Sequence, residues 1–188
     1  MTVTRDDAAS ALHDIDRAER HSLTLFQYSA GSPYLLLWGP LWIVAGAIGA
    51  VSPENAGLGW AAVDAVGLAG TAGLVIAQSR RFRGKGDRTA TWRFLGAVAV
   101  LAAFIAMTFA VFAPVSGVQI QTFIVLLVAA AYALVGCWFG LRFAVVGAVL
   151  AGLAVGAFHY APAHMAYIVP CLGGGALIVA GLWMRWAR

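Results

Sequence analysis

The chain has very few charged residues. Asp, Glu, Lys and Arg make up only 11% of its 188 residues, whereas 62% of the residues are apolar. An ordinary soluble domain carries about 25% charged residues, so this composition excludes a soluble globular protein. A membrane-spanning helix needs about 20 mostly apolar residues, and the chain has room for several of them with short connections. We therefore predict an all-α integral membrane protein.

Cysteine and lysine are also scarce. The two cysteines, Cys137 and Cys171, show no CxxC or Cys/His spacing, which excludes a structural zinc site of the usual kind. We predict that they lie toward opposite ends of different helices, too far apart for a disulfide, and remain free thiols. The sole lysine, Lys85, lies in a loop, which excludes a retinal Schiff base inside the bundle. We predict no cofactor.

The apolar residues form six runs, and we predict that each is a transmembrane helix. Their predicted limits are 34–51, 58–78, 93–113, 118–139, 142–160 and 164–184. Each outer linker contains one proline, which suggests three helical hairpins in series. The hairpin prolines are Pro53, Pro114 and Pro162.

Residues 1–33 are polar with an intermittent apolar face, and we predict a cytoplasmic amphipathic helix for them. Gly31-Ser32-Pro33 is expected to end this helix, since glycine suits a helix C-terminus and proline cannot continue the hydrogen-bond ladder. Residues 1–33 contain no early apolar segment of the signal-peptide kind, so we expect no cleavable signal peptide.

The basic residues divide the linkers cleanly. The three predicted outer linkers contain no Lys or Arg, and loop 80–93 alone holds six of the twelve basic residues. The positive-inside rule then predicts that both termini are cytoplasmic and that the protein lies in the cell inner membrane. This distribution explains the net charge of +4 without a nucleic-acid partner. Loop residues expected to attract anionic lipid or to dock the acidic N-terminal helix are Arg80, Arg81, Arg83, Lys85 and Arg88.

Aromatic side chains occur where the span ends are predicted. Trp38 and Trp60, for example, fit the headgroup level, where amphipathic rings are favoured. Trp42 lies deeper, and its indole N–H would need a partner if buried.

Asp64 is the only acidic residue inside a predicted span, where a carboxylate is costly enough to suggest a function. Asp64, Thr71 and Gln78 are seven residues apart and share one face of the second span, where they could line a polar pathway. The alternative is that Asp64 lies only about 9 Å below the outer surface and caps or hydrogen-bonds a neighbour.

Two spans contain residues that interrupt helices. These residues are Pro40 in the first span and Pro170, Gly173, Gly174 and Gly175 in the sixth. Discontinuous helices flank substrate sites in transporters, so breaks here would favour a solute pathway. Proline and glycine are also common in transmembrane helices, because neighbouring groups satisfy the freed backbone atoms.

His159 and His164 cluster at the outer turn between the last two spans. A histidine pair could bind a metal or sense pH, although histidines in such a turn are usually only interfacial and no third ligand is evident. Ala148, Gly152 and Gly156 recur every four residues along the fifth span. Small residues let helices approach closely, so this span is expected to be central or to form an oligomer contact.

The sequence contains no catalytic constellation, and we expect a non-enzymatic protein. The first functional hypothesis is a multi-pass protein that acts through helix association, as a homo-oligomer or as a subunit or regulator of a membrane complex. The alternative is a small ion or solute transporter or channel with Asp64 in the pathway.

Overall fold

The computed structural model describes residues 5–83 and 88–186. Within these ranges the chain is almost entirely helical and contains no β-strand. Short 3-10 turns, Pro53–Asn55 and Pro162–His164, join two of the helix pairs. The six α-helices in chain order are α1 (Arg5–Val51), α2 (Ala56–Arg83), α3 (Arg88–Phe112), α4 (Gly117–Phe139), α5 (Leu141–Tyr160) and α6 (Met165–Arg185).

Five segments of the described chain are long and apolar enough, by length and composition, to cross a membrane. They belong to α1, α2, α4, α5 and α6, whereas the qualifying part of α3 is the shorter stretch Ala99–Phe112. The prediction of an all-helical protein is therefore confirmed, and the five to six long apolar helices are compatible with a membrane helical bundle. The count of six spans stays a prediction. The helix limits from α2 to α6 lie close to the predicted spans.

The predicted end of the first helix at Gly31-Ser32-Pro33 is wrong, because α1 continues without a break from Arg5 to Val51. The buried hydroxyl of Ser32 donates a hydrogen bond to the carbonyl oxygen of Gly181 in α6, at 2.8 Å. Gly31 lies against the ring of Phe143 in α5. These contacts with two other helices hold the segment helical, although its local sequence favours a turn.

The predicted helix breaks at Pro40 and Pro170 are also wrong, since both prolines lie inside continuous helices. Pro170 is buried where α6 meets α1, and a Cβ atom added to Gly46 would lie 3.0 Å from the Cβ atom of Pro170. The glycine thus makes room for the proline ring. Packing between the two helices maintains the helical path through a residue that cannot donate a backbone hydrogen bond.

The glycines of α6 form its contact with α1. A Cβ atom added to Gly174 would lie 2.5 Å from the carbonyl oxygen of Gly39, and one added to Gly173 would lie 3.0 Å from the indole of Trp42. Gly175 differs, because a Cβ atom there would meet nothing within 4 Å. Two of the three consecutive glycines therefore allow close approach of backbones, which is what stabilises helix pairs in lipid.

Helices α4 and α5 form a tight antiparallel hairpin around Gly140, whose φ angle of 114° suits glycine. A Cβ atom added to Gly136 would lie 2.6 Å from that of Ala144. At Gly147 an added Cβ would lie 2.5 Å from the carbonyl oxygen of Ala129. Small residues on both helices thus bring the backbones together along the length of the hairpin.

The buried core lies among α1, α4, α5 and α6. Its fully buried large side chains are Leu35, Leu150, Met165, Val169, Pro170, Leu177 and Met184. Helix α3 is peripheral, and its described ring contacts with the rest of the bundle are those of Phe104 and Phe109 with Phe123 of α4. Most described side chains of α3 are exposed, so this helix is the least tightly packed of the six.

Both cysteines are free thiols. Cys137 is exposed on α4, with its sulfur 3.6 Å from the carbonyl oxygen of Ala133. Cys171 is half-buried on α6, and its sulfur lies at the contact with Gly46 of α1.

Substituting Gly174→Ala is expected to destabilise the bundle by about 1 to 3 kcal/mol, because its methyl group would overlap the Gly39 carbonyl. The matched control is Gly175→Ala, whose methyl group meets open space and is expected to leave the stability unchanged or to raise it by up to about 1 kcal/mol through helix propensity. Chemical unfolding in mixed micelles measures both. Equal effects of the two substitutions would contradict the α1–α6 contact described above.

Candidate functional site

A cavity of about 830 Å³ lies between α1, α2 and α4 and is bordered by the Pro162–His164 turn. Small-molecule sites commonly measure about 300 to 1,000 Å³, so the cavity is large enough for an organic ligand. Its walls are mostly apolar and aromatic, with few polar groups. The residues used below are Trp38, Trp42, Trp60, Asp64, Gln121, Val125, Val128 and Tyr132.

Helix α4 presents one regular stripe to the cavity. Gln121, Val125, Val128 and Tyr132 are spaced by four, three and four residues, which places them on a single helix face. The side-chain nitrogen of Gln121 donates a hydrogen bond to the carbonyl oxygen of Met165, at 3.1 Å, and so joins α4 to the start of α6. The stripe is therefore held in place at its Gln121 end by a contact with a third helix.

Three tryptophans form the opposite wall. The rings of Trp42 and Trp60 meet edge to face with centroids 6.1 Å apart and planes at 80°. The indole nitrogen of Trp38 donates to the hydroxyl oxygen of Thr71 at 3.1 Å, which fixes the orientation of this ring. In the described part of the chain, neither Trp42 nor Trp60 donates its indole N–H to another residue, and neither N–H is completely buried. Both N–H groups are thus accessible, which the adjoining cavity allows.

Among the described residues that line this cavity, Asp64 is the only Asp, Glu, Lys, Arg or His. It is exposed and forms no hydrogen bond or ion pair with any described residue. A carboxylate within an apolar helix is costly unless a cation, a proton or a hydrogen-bond donor compensates it. The cavity therefore carries one negative group that no described neighbour neutralises.

The other two residues predicted for the pathway have a different position. Thr71 accepts the hydrogen bond from Trp38, while Gln78 accepts one from the hydroxyl of Tyr34 at 3.1 Å and donates one to the carbonyl oxygen of Ala30 at 2.9 Å. All three bonds join α2 to α1. Neither Thr71 nor Gln78 is among the cavity-lining residues, so the predicted polar face of α2 reaches the cavity only at Asp64.

Each of the two histidines near the Pro162–His164 turn packs against an aromatic ring. His159 packs edge to face with Phe158 at 5.3 Å between ring centroids, and His164 packs in the same way with Tyr167 at 5.7 Å. The described residues contain no group of three or more His, Cys, Asp or Glu side chains that could hold a metal ion. Both rings are exposed at the turn that borders the cavity, but they do not line it.

Of the five basic residues predicted to bind lipid or the N-terminal helix, one has a described side chain. Arg80 is exposed on the last described turns of α2. The side chains of Arg81, Arg83, Lys85 and Arg88 lie outside the part of the chain that the structure describes. The interaction predicted for this loop stays a prediction.

The predicted small-residue face of α5 points away from the other helices. Ala148 and Gly152 are exposed, and a Cβ atom added to Gly152 or Gly156 would meet nothing within 4 Å. Within the chain, α5 instead packs on α4 through Ala144 and Gly147. The face formed by Ala148, Gly152 and Gly156 is therefore free for a contact outside the chain.

Sequence reasoning assigned Trp38 and Trp60 to the membrane interface and did not single out Gln121 or Tyr132. A usable signal was present, because Gln121 and Tyr132 are polar residues eleven positions apart in a strongly apolar run, a spacing close to three helical turns. Trp60 and Asp64 show the corresponding spacing of four residues on α2. What the spacing does not reveal is that these two faces border one cavity.

Removing the hydroxyl of Thr71 with Thr71→Val is expected to cost about 1 to 2 kcal/mol, because the Trp38 indole N–H loses its acceptor away from bulk water. Thr108→Val is the control, since the Thr108 hydroxyl bonds only to the Phe104 carbonyl of its own helix. Unfolding in mixed micelles should separate the two variants. A loss in the control as large as in Thr71→Val would argue against a stabilising role for the α1–α2 bond.

Comparison of the chain with protein-family models, with curated proteins and with solved structures found no match. The function of the chain is therefore inferred from its own residues and their geometry.

Proposed function

We propose that this protein is a non-enzymatic membrane protein that binds an apolar organic cation in the aromatic cavity and carries it across the membrane. The observation that supports this proposal best is the position of Asp64, a carboxylate without a described partner on the wall of a cavity lined by tryptophan. The charge of the cavity and the chemistry of its walls each restrict the class of ligand further.

The charge of the cavity favours a cation. Asp64 lies in the half of the bundle that contains the Pro53–Asn55 and Pro162–His164 turns, and no Lys or Arg is present in those turns or on the cavity walls. Two unit charges about 4 Å apart attract each other by about 4 kcal/mol at an effective dielectric constant of 20, as is typical near protein surfaces. A bound cation would therefore compensate the carboxylate that the fold leaves unpaired.

The walls favour a cation with an apolar or aromatic body. Trp38, Trp42, Trp60 and Tyr132 offer ring faces and edges, and a cation over a tryptophan face gains about 0.5 to 2 kcal/mol. The aliphatic residues Val125 and Val128 supply apolar surface on the opposite side. A hydrated metal ion would make little use of such walls, whereas an organic cation would bury both its charge and its hydrophobic surface.

The membrane orientation that fits this proposal has six spans in the cell inner membrane, with both termini cytoplasmic. Loop 80–93, Arg142 and Arg185 then lie inside, and the proline-containing linkers lie outside. In this orientation the cavity belongs to the outer half of the membrane. The peripheral helix α3, which contacts α4 through few rings, is the element best suited to move during transport, because loosely packed elements open at the lowest free-energy cost.

Tetraphenylphosphonium is a suitable binding probe, and tetraphenylborate is its anionic counterpart of nearly the same shape. The protein in detergent should quench or shift its tryptophan fluorescence on titration with the cation and respond much less to the anion. Asp64→Asn should weaken cation binding by about ten- to hundredfold, because it removes the charge and keeps the size. The matched control Glu54→Gln removes an exposed carboxylate at the same end of the bundle and should bind as the unmodified protein does.

Equal binding of the two tetraphenyl ions, or equal losses in Asp64→Asn and Glu54→Gln, would contradict the proposed site. Transport is tested separately by uptake of the same cation into proteoliposomes. Flux that is absent, or that is unchanged by Asp64→Asn, would overturn the transport step and leave the binding step to be judged by the titration.

A second candidate function is association of this protein with a further copy of itself or with a larger membrane complex. The observation that favours it is the open face of Ala148, Gly152 and Gly156, which no other part of the described chain covers. Exposed small residues on a lipid-facing helix allow the backbone of a partner helix to come close.

A cysteine at position 152 tests self-association after Cys137 and Cys171 are replaced by serine. Oxidation in native membranes should join two chains through Gly152→Cys, because the small-residue face would bring the two Cα atoms within the 4.4 to about 6.8 Å that a disulfide needs. Val179→Cys is the control, since Val179 is an exposed side chain on α6. Equal crosslinking at both positions would indicate random collision rather than a specific interface.

A further inference from the structure

A second cavity, of about 710 Å³, lies at the opposite end of the bundle between α1, α2 and α6. That end is identified by two interhelical contacts, from Gln78 to the Ala30 carbonyl and from Arg142 to the Trp183 carbonyl. The cavity is an open cleft and shares no lining residue with the aromatic cavity around Asp64. The two sites are therefore separate.

One wall of the cleft carries a positive charge. Arg185 lies in the last turn of α6, is exposed, and makes no hydrogen bond or ion pair with any described residue. Arg142 lies at the same end, and its guanidinium contacts other side chains and a backbone carbonyl. Its guanidinium lies 5.0 Å from the ring centroid of Tyr28 and 4.7 Å from that of Trp183, and it donates to the Trp183 carbonyl at 2.7 Å. The guanidinium N–H groups of Arg185 therefore donate to no described residue.

The remaining walls are largely apolar. Pro33, Leu36 and Leu37 of α1 face Leu74 of α2 across the cleft. These residues span about one turn on each helix, which is roughly 5 Å along the axis. A hydrocarbon chain in the cleft would remove this apolar surface from water. The binding free energy would become more favourable by about 25 cal/mol for each Å² of apolar surface removed.

The level of the cleft matches that of lipid headgroups. Arg185 is flanked in sequence by Trp183 and Trp186, both exposed, and exposed tryptophans favour the membrane–water interface. The apolar walls formed by Leu36, Leu37 and Leu74 lie further from this end of the bundle than Arg185 does. The charge and the apolar surface thus have the same order, from interface to interior, as the phosphate and acyl chain of a lipid.

We propose that this cleft is a binding site for an anionic phospholipid. Its phosphate contacts the guanidinium of Arg185, and the first part of one acyl chain lies between Leu37 and Leu74. An arginine matches the phosphate group because its planar donors can form two parallel hydrogen bonds. The site differs from general attraction of acidic lipid to loop 80–93, because it depends on one arginine and on the shape of the cleft.

Native mass spectrometry of the full chain in detergent, titrated with phosphatidylglycerol, measures this binding. Arg185→Gln should weaken it about fivefold, the effect expected for one arginine near a charged lipid surface. Arg17→Gln removes an exposed arginine of α1 that lies outside the cleft and should stay within twofold of the unmodified protein. Arg185→Lys keeps the charge but cannot form two parallel hydrogen bonds, so it should lose less binding than Arg185→Gln. Leu74→Trp, which fills the cleft, should also weaken binding although every arginine remains.

The proposal is overturned if Arg185→Gln binds phosphatidylglycerol as tightly as the unmodified protein, or if Arg17→Gln loses as much as Arg185→Gln. It is also overturned if phosphatidylcholine binds equally well, or if inorganic phosphate at the same concentration displaces the lipid. Asp64→Asn should leave lipid binding unchanged, so the result is independent of the cation site.

Discussion

The close backbone contact between α1 and α6 is the constraint on which the other helices depend. Gly174 and Gly39 bring the two backbones together, and a side chain at Gly174 would meet a carbonyl oxygen. From this pair, α1 holds α2 through hydrogen bonds to Thr71 and Gln78, and α6 holds α4 through the bond from Gln121. Among the described residues, α2 and α4 share no extensive contact, so the space between them remains open and forms the aromatic cavity.

Much of the fold could be predicted from the sequence, because apolar runs of about 20 residues separated by short polar linkers have few structural alternatives in a membrane. The errors concerned helix ends inside such runs. Gly31, Pro40 and Pro170 are local signals for a turn or break, yet all three lie in continuous helices. Local propensity amounts to a few kcal/mol at most, and buried contacts such as that between Ser32 and Gly181 outweigh it.

The candidate site could be predicted only in part. Asp64 could be identified because a carboxylate in an apolar helix is energetically costly and therefore suggests a function. Tyr132 and Gln121 required knowledge of which helix faces meet, and this depends on packing between distant parts of the chain. Glycine shows the same limit, because Gly147 lies in a tight helix contact and Gly152 lies open on the same helix, although both stand among similar neighbours in the sequence.

Because α1 is continuous, its N-terminal part and the wall of the aromatic cavity belong to one helix. A helix of 47 residues is about 70 Å long, more than twice the roughly 30 Å thickness of the hydrocarbon core. Helix α1 carries exposed side chains such as Arg17 in its N-terminal part. The same helix carries Trp38 and Trp42, which lie in the cavity wall. Pro33 lies between these two parts of α1 and lacks a backbone N–H, so it is the point at which a tilt of the projecting part would bend the helix before reaching the tryptophans.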